Sequence, residues 1–142
     1  MDTLLQLLNS KGNEVWTIHP DETVLDAIQK MAAKDVGSLV VIEDGKPVGI
    51  FTERHYARKV FLKGRHSPTT AIREIMSTHI VCVSPEQTIE ECMAVMTDKR
   101  IRHLPVLDHG ELVGIVSIGD LVKSRLADQE FIIEQLAHYI HG

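Results

Sequence analysis

The 142-residue chain reads as an α/β (α+β) protein. Two pseudo-twofold-related β-α-β-β-α repeats pack sheet to sheet, with an extra helix at each end. Three observations carry that reading. The sequence repeats without gaps at a shift of 65: Pro20 matches Pro85, Thr23 matches Thr88, Met31 matches Met96, Leu39 matches Leu104, Gly45 matches Gly110, and Val48-Gly49-Ile50 matches Val113-Gly114-Ile115. Within each repeat, short apolar runs of strand length alternate with stretches at helical spacing. Each repeat then yields a three-stranded sheet with one apolar face uncovered, and two such faces can cover each other in one compact body with two related clefts.

The elements follow in order. Thr3 to Asn9 carries Leu4, Leu5, Leu7 and Leu8, a short amphipathic helix ended by Ser10-Lys11-Gly12 and too short to stand alone. Val15 to Ile18 is an extended run closed by His19-Pro20. Thr23 caps a helix, with Asp26 three residues on and Val24, Ala27, Ile28 and Met31 as its apolar stripe. Leu39 to Ile42 and Val48 to Phe51 flank Asp44-Gly45, a hairpin signal. A helix from Thr52 to about Leu62 completes the first repeat. A basic loop, Lys63-Gly64-Arg65-His66-Ser67-Pro68, and a short helix around Ala71 to Met76 lead into the second. There the order returns: a strand at Ile80 to Val83, a Thr88-capped helix with Glu91 in its first turn, Leu104 to Leu107, a turn at His109-Gly110, Leu112 to Val116, and a helix from Ser117. A further helix from Gln129 to Ile140 places Phe131, Ile132, Leu136, Tyr139 and Ile140 on one side. The division is residues 1–14 (N-terminal helix), 15–63 (first repeat), 64–79 (linker), 80–127 (second repeat) and 128–142 (C-terminal helix).

The bulk composition narrows the function classes. Hydrophobic residues are 44%, charged residues 25% and the net charge is −5. An acidic total argues against non-specific nucleic-acid binding, which the Arg54 to Arg65 region alone would have to carry and which would show a steep salt dependence. No apolar run approaches the roughly 20 residues of a bilayer span, and Met1-Asp2-Thr3-Leu4-Leu5 lacks the basic and apolar regions of a secretory signal. Two cysteines, Cys82 and Cys92, outside any C-x-x-C pair, suit a reduced cytoplasmic protein.

The candidate chemistry sits where the last strand of each repeat runs into a helix: Val113-Gly114-Ile115-Val116-Ser117-Ile118-Gly119-Asp120, and 65 residues earlier Val48-Gly49-Ile50-Phe51-Thr52-Glu53-Arg54-His55. One reading is purely local: Ser117 and Asp120 form a capping box that uses the unpaired N–H groups and positive end of the helix. The other is a binding site. Gly114 would let a flat ring or another chain approach the backbone, Asp120 would accept hydrogen bonds from two ribose hydroxyls, and a phosphate would lie to one side among helix N–H groups and cations. Arg54, Lys63 and Arg65 are candidate cations; Arg58 and Lys59 read as a solvated helix face. Arg54 lies at a helix start, where a cation is badly placed against the dipole unless an anion is near.

These residues resemble a known family. The paired β-α-β-β-α units, Arg102-His103-Leu104-Pro105-Val106, the Asp/His-Gly turns and Gly-Ile-Val-Ser-x-x-Asp are similar to a tandem CBS domain pair, or Bateman module, over Val15 to about Leu126. Thr52 to Lys59 with the Lys63-Gly64-Arg65 loop looks like the small stand-alone members. The resemblance implies a regulatory sensor, not an enzyme, with AMP, ADP or ATP bound between the repeats. It puts Asp120 on the ribose, Ser117 near the phosphate, and Val81, Cys82, His103, Leu104 and Pro105, with Arg102, around the adenine and phosphate. Trp16, Thr17, Gly37 and Ser38, with Thr52, are the equivalents in the first repeat. It also implies a homodimer and, since the 142 residues are taken up by the repeats and their flanking helices, an output in trans on a regulated protein. The departure from the family pattern is His55, which stands where the ribose aspartate is expected and leaves the first site without a diol acceptor.

Other residues invite stronger readings than they support. His138 and His141 are three apart, with no third ligand at useful spacing, so no metal site is assigned. Trp16 reads as core more than as a stacking platform, and Cys92 as core. No Ser-His-Asp pattern, Walker-type loop or paired-carboxylate cleft stands out, and no catalytic cofactor is expected. The alternatives to an adenine-nucleotide sensor are an interaction or dimerisation module without a small ligand, and a binder of NAD(H) or S-adenosylmethionine.

Overall fold

The computed structural model describes residues 2–141, and for His141 only its backbone. The chain forms two compact units, Glu14–Val81 and Met1–Asn13 with Cys82–Gly142. The first repeat builds the former; the second repeat, joined by the N-terminal segment, builds the latter.

The first-repeat unit runs β1 (Thr17–Ile18), α2 (Val24–Lys34), β2 (Ser38–Glu43), β3 (Lys46–Thr52), a single turn α3 (Glu53–His55) continued by a π-helical segment (Tyr56–Phe61), and α4 (Ile72–Ile75). Its three strands lie in the order β1-β2-β3, with β1 parallel and β3 antiparallel to β2. The β2–β3 turn places Asp44 and Gly45 at φ 53° and 75°, the left-handed pair a two-residue hairpin requires. Thr23 and Asp26 exchange the two bonds of a capping box at the start of α2. That fixes the rotation of the helix, and Val24, Ala27 and Met31 are buried. They join Ile18, Leu39, Val41, Phe51, Val60, Ile72 and Ile75 in one core, each large side chain contributing roughly 1.5–3 kcal/mol on burial.

The second-repeat unit contains α1 (Leu4–Lys11), α5 (Ile89–Lys99), β4 (His103–Asp108), β5 (Glu111–Ser117) and α6 (Ile118–His141). The hairpin register reproduces that of the first repeat at the same shift: Val40 faces Ile50, and Pro105 faces Ile115. Both hairpins slip register at matching places, between Val41 and Ile42 and between Val106 and Leu107.

Three expectations are corrected. The second unit has a two-stranded sheet: of the strand expected at Ile80 to Val83, only a parallel bridge from Val83 to Val106 forms. That bridge is the counterpart of the Ile18–Val41 pairing, so the position is kept although the strand is not. The helix expected from Thr52 to Leu62 is one α turn followed by the wider π winding, closed by the Leu62 N–H on the Ala57 carbonyl at 3.0 Å. The winding buries Val60 and leaves Phe61 and Leu62 exposed. The further helix at Gln129 to Ile140 is the second half of a single 24-residue α6, since neither glycine nor proline interrupts 120–141. The short helix before the second repeat, α4, buries Ile72 and Ile75 in the first unit's core.

α1 and α4 do matching work, at a shift of 68. The Leu4 N–H donates to the Gln87 carbonyl and the Ile72 N–H to the Glu22 carbonyl, both at 2.9 Å; Leu5 on Pro85 and Arg73 on Pro20 repeat the match. Each short helix therefore docks on the loop that precedes a capped helix, with its orphan N–H groups satisfied by carbonyls.

Candidate functional site

The site is best built from the second unit. Residues 113–116 carry β5 inward until Ser117, where the chain turns into α6. Ser117 pairs with His103 across the hairpin, and the Ile118 N–H donates to the Arg102 carbonyl at 2.9 Å, which ties the helix start to the head of β4. The Ser117 N–H donates to Asp120 Oδ2 at 2.8 Å, and the Asp120 N–H donates to Ser117 Oγ at 3.1 Å. The local reading of this motif is thus realised as a reciprocal capping box.

A residue not expected at the site completes it. Lys11, the last residue of α1, places Nζ 2.7 Å from Asp120 Oδ2 and 3.0 Å from the Ile115 carbonyl oxygen. The Lys11 ammonium and the Ser117 N–H both fall on the same oxygen, Asp120 Oδ2. Burial pushes the Asp120 carboxyl up, but Lys11 and the Ser117 N–H outweigh it and hold the group below the usual carboxylate range. It is a charged, oriented, half-buried acceptor. Lys11 lies 109 positions from Asp120, too far for any periodicity to signal the pair.

Gly114 serves a different purpose from the one expected. A Cβ built there would lie 2.7 Å from Leu8 Cδ2, so the close approach is made by α1 and not by a ring or a second chain. Gly49 is used in the same way, by Met76 and the Ser77 carbonyl.

Around this motif, Leu104 and Pro105 are buried in β4, His103 is half-buried at its start and the Arg102 side chain is exposed. Cys82 is half-buried, and burial raises its thiol pKa. Val81 is the last residue of the other unit. Cys92 is fully buried on the inner face of α5; burial, with Glu91 beside it, pushes its thiol up to about 11.

The first repeat assembles the same backbone with different chemistry. Ser38 pairs with Thr52, and the Glu53 N–H donates to the Gly37 carbonyl at 3.1 Å, so Gly37, Ser38 and Thr52 come together as their counterparts do. At the helix start, His55 Nδ1 accepts the Thr52 N–H at 3.1 Å while the His55 N–H donates to Thr52 Oγ1 at 3.2 Å. The ring therefore replaces the carboxylate as a cap. With Nδ1 accepting, the neutral ring carries its hydrogen on Nε2. Trp16 packs half-buried against the core with Lys34 Nζ 4.3 Å from its ring centroid, so one face is taken by a cation. The Thr17 carbonyl accepts Lys30 Nζ. Arg54 is exposed at the helix start, whereas Lys63 and Arg65 follow the π segment at its opposite end; the three do not form one hydrogen-bonded set. Among the described residues, one group brings potential metal ligands within 4.8 Å, His19, Asp21 and Glu43. Its two carboxylates are bridged by Arg73, which holds Glu43 below its usual range. His138 is exposed on α6, and the His141 side chain lies outside the described residues.

The sequence pattern of the CBS domain matches residues 11–61 and 72–127, one stretch for each repeat. The chain belongs to the CBS domain family. Among its relatives, the mitochondrial CBS domain-containing protein CBSX3 of Arabidopsis thaliana is 37% identical over 99% of this chain and 72% of its own length. A CBS-domain protein of Burkholderia ambifaria, described as a putative signal-transduction protein, has a solved structure that superposes with a TM-score of 0.86. It is 49% identical over 89% of this chain and 96% of its own. The CBS domain pair of protein MJ0100, solved with 5′-methylthioadenosine and S-adenosyl-L-methionine, shares the fold at a TM-score of 0.77 and 23% identity, over 90% of this chain and 97% of that one. The family is one of ligand-binding regulatory modules. No helix among the described residues is long and apolar enough to cross a membrane.

Proposed function

We propose that this CBS pair is a regulatory sensor that binds an adenine nucleotide of the AMP, ADP or ATP type and acts in trans on a partner protein, without turning the nucleotide over. The observation that carries the reading is the Asp120 carboxylate: charged, half-buried, and oriented through Oδ2 by the Ser117 N–H and Lys11. A vicinal diol is the natural partner for such a group, because a carboxylate only accepts and two adjacent hydroxyls can both donate. The two adenosyl ligands of the MJ0100 pair are both ribosides, which is in keeping with a riboside here. In this reading the phosphate lies beside Ser117 at the start of α6, where peptide N–H groups favour anions. Arg102, His103, Leu104, Pro105 and Cys82, all of the same unit, surround the nucleotide. The first repeat, with Thr52 and His55 beside Trp16, Thr17, Gly37 and Ser38, offers no carboxylate and is weaker or differently selective, with Arg54, Lys63 and Arg65 as its cations. A cytoplasmic homodimer is part of the same proposal.

A thermal-shift panel of AMP, ADP, ATP, NAD(H) and S-adenosylmethionine tests it. A ligand at a hundred times its dissociation constant stabilises the fold by about 2.7 kcal/mol. One nucleotide should stabilise wild type and fail to stabilise Asp120→Ala; equal stabilisation of both would remove the ribose assignment. A second reading, an interaction module without a small ligand, rests on the far half of α6, where Phe131, Ile132, Ile133, Leu136, Tyr139 and Ile140 are all exposed. It expects no shift from any nucleotide.

A further inference from the structure

Lys11 stands on the acceptor that the proposed ligand would use. Its ammonium and the Ser117 N–H both donate to Asp120 Oδ2, so a diol that needs both carboxylate oxygens meets one already filled. The Ser117 bond is part of the helix cap and stays with α6. The Lys11 bond is made by a flexible side chain about one-third exposed, and is the one that can yield. Lys11 is also the final residue of α1, next to the Gly12 N–H that closes the helix on the Leu8 carbonyl at 2.8 Å. Leu8 in turn rests against Gly114 in β5. In the first repeat the Ile50 carbonyl, counterpart of Ile115, is taken by the Ser77 backbone N–H at 3.0 Å, a bond between main-chain groups and not a flexible side chain.

We infer that Lys11 is an internal competitor for the ribose diol, so that nucleotide binding releases the last turn of α1 from the second repeat. This rests on the nucleotide reading of Asp120 and adds the route by which occupancy reaches the surface. A ligand can shift an element only through differential contact with its two states, and the Lys11–Asp120 bond supplies that difference: α1 is pinned when the carboxylate has no diol and unpinned when it has one.

Amide hydrogen exchange at Gly12, followed with AMP as the probe, is the test. Removing a partly exposed ion pair is expected to speed exchange by about threefold, within the range such pairs span. Lys11→Met and Asp120→Asn should each show this without nucleotide, and wild type should show it when saturated with AMP. Lys11→Met should also bind AMP about threefold more tightly, since its competitor is gone. The 2′,3′-dideoxy analogue of AMP, which lacks the diol, should leave Gly12 exchange unchanged. If AMP binds wild type and Gly12 exchange slows or stays constant, the latch is wrong and the nucleotide reading stands. If Lys11→Met weakens AMP but not adenosine, Lys11 is a phosphate contact and the latch is again wrong. If neither wild type nor Lys11→Met binds AMP, ADP or ATP, the nucleotide reading fails and takes the latch with it.

Discussion

The two repeats build the same junction and give it different chemistry. Thr52 with His55 and Ser117 with Asp120 make the same pair of capping bonds, so the helix starts alike in both. An imidazole nitrogen spends its one lone pair on the cap, whereas a carboxylate that caps through Oδ2 has a second oxygen. The docked helices diverge too. α4 ends at Ile75, and Ser77 pairs with the edge of β3 through backbone bonds in both directions. α1 runs on to Lys11, whose side chain replaces that backbone pairing. A capping motif by itself therefore does not mark a binding site. The first repeat shows the motif serving the helix; in the second the capping group is a carboxylate, and the longer of the two docked helices brings a cation to it.

The largest effects should come from the two close-approach glycines. Gly49→Ala and Gly114→Ala are each expected to lower unfolding stability by about 1–3 kcal/mol in urea titrations, the usual cost of overpacking. Gly49→Ala should cost more. Its new methyl meets the Ser77 backbone at 2.9 Å as well as Met76, while at Gly114 only the Leu8 side chain intervenes. Leu8→Ala in the Gly114→Ala background should recover part of the loss; no recovery would mean that α1 does not pack there as described.

Next comes the exchange of chemistry between the repeats. His55→Asp keeps a capping acceptor and adds a second oxygen, so calorimetry should show an added AMP-binding event absent from wild type. A wild-type protein that already binds AMP equally at both repeats would erase the contrast.

A third effect is pH dependence. Asp120 titrates below its unfolded value in the folded protein, so its contribution is complete above that value and is lost as pH falls through the folded one. Asp120→Asn should flatten the acid limb of a stability-versus-pH curve. Cys92 acts in the opposite sense. An unfolded thiol ionises near 9.0 and the buried one near 11, so stability falls as pH rises through that window, and Cys92→Ala should remove the fall.

The smallest effect concerns the ends of α2 and α5. Asp35 and Arg100 occupy equivalent left-handed positions, φ 54° and 55°. Aspartate tolerates this backbone better than arginine. Arg100→Gly should therefore raise stability by about 1 kcal/mol and Asp35→Gly by less. Equal gains, read from melting curves, would mean that the residue type at that position does not matter.

The sequence by itself determined the repeat, the capped helices, both hairpins and the location of the two junctions. Those signals are local: a threonine three residues before an acid, an Asp-Gly or His-Gly turn between apolar runs, a proline at a fixed shift. It also singled out His55 as the place where the repeats part, since a substitution within a gapless repeat is visible without coordinates. The tertiary structure decided what those junctions touch. Residues 80–82 carry strand-forming side chains yet stay unpaired, because strand formation depends on a neighbour's edge and not only on propensity. The backbone space over Gly114 went to Leu8, and the Asp120 carboxylate went to Lys11, both on a helix that begins the chain. Such contacts follow from how a short helix too weak to stand alone finds a surface to bury its leucines, and no spacing rule encodes that choice.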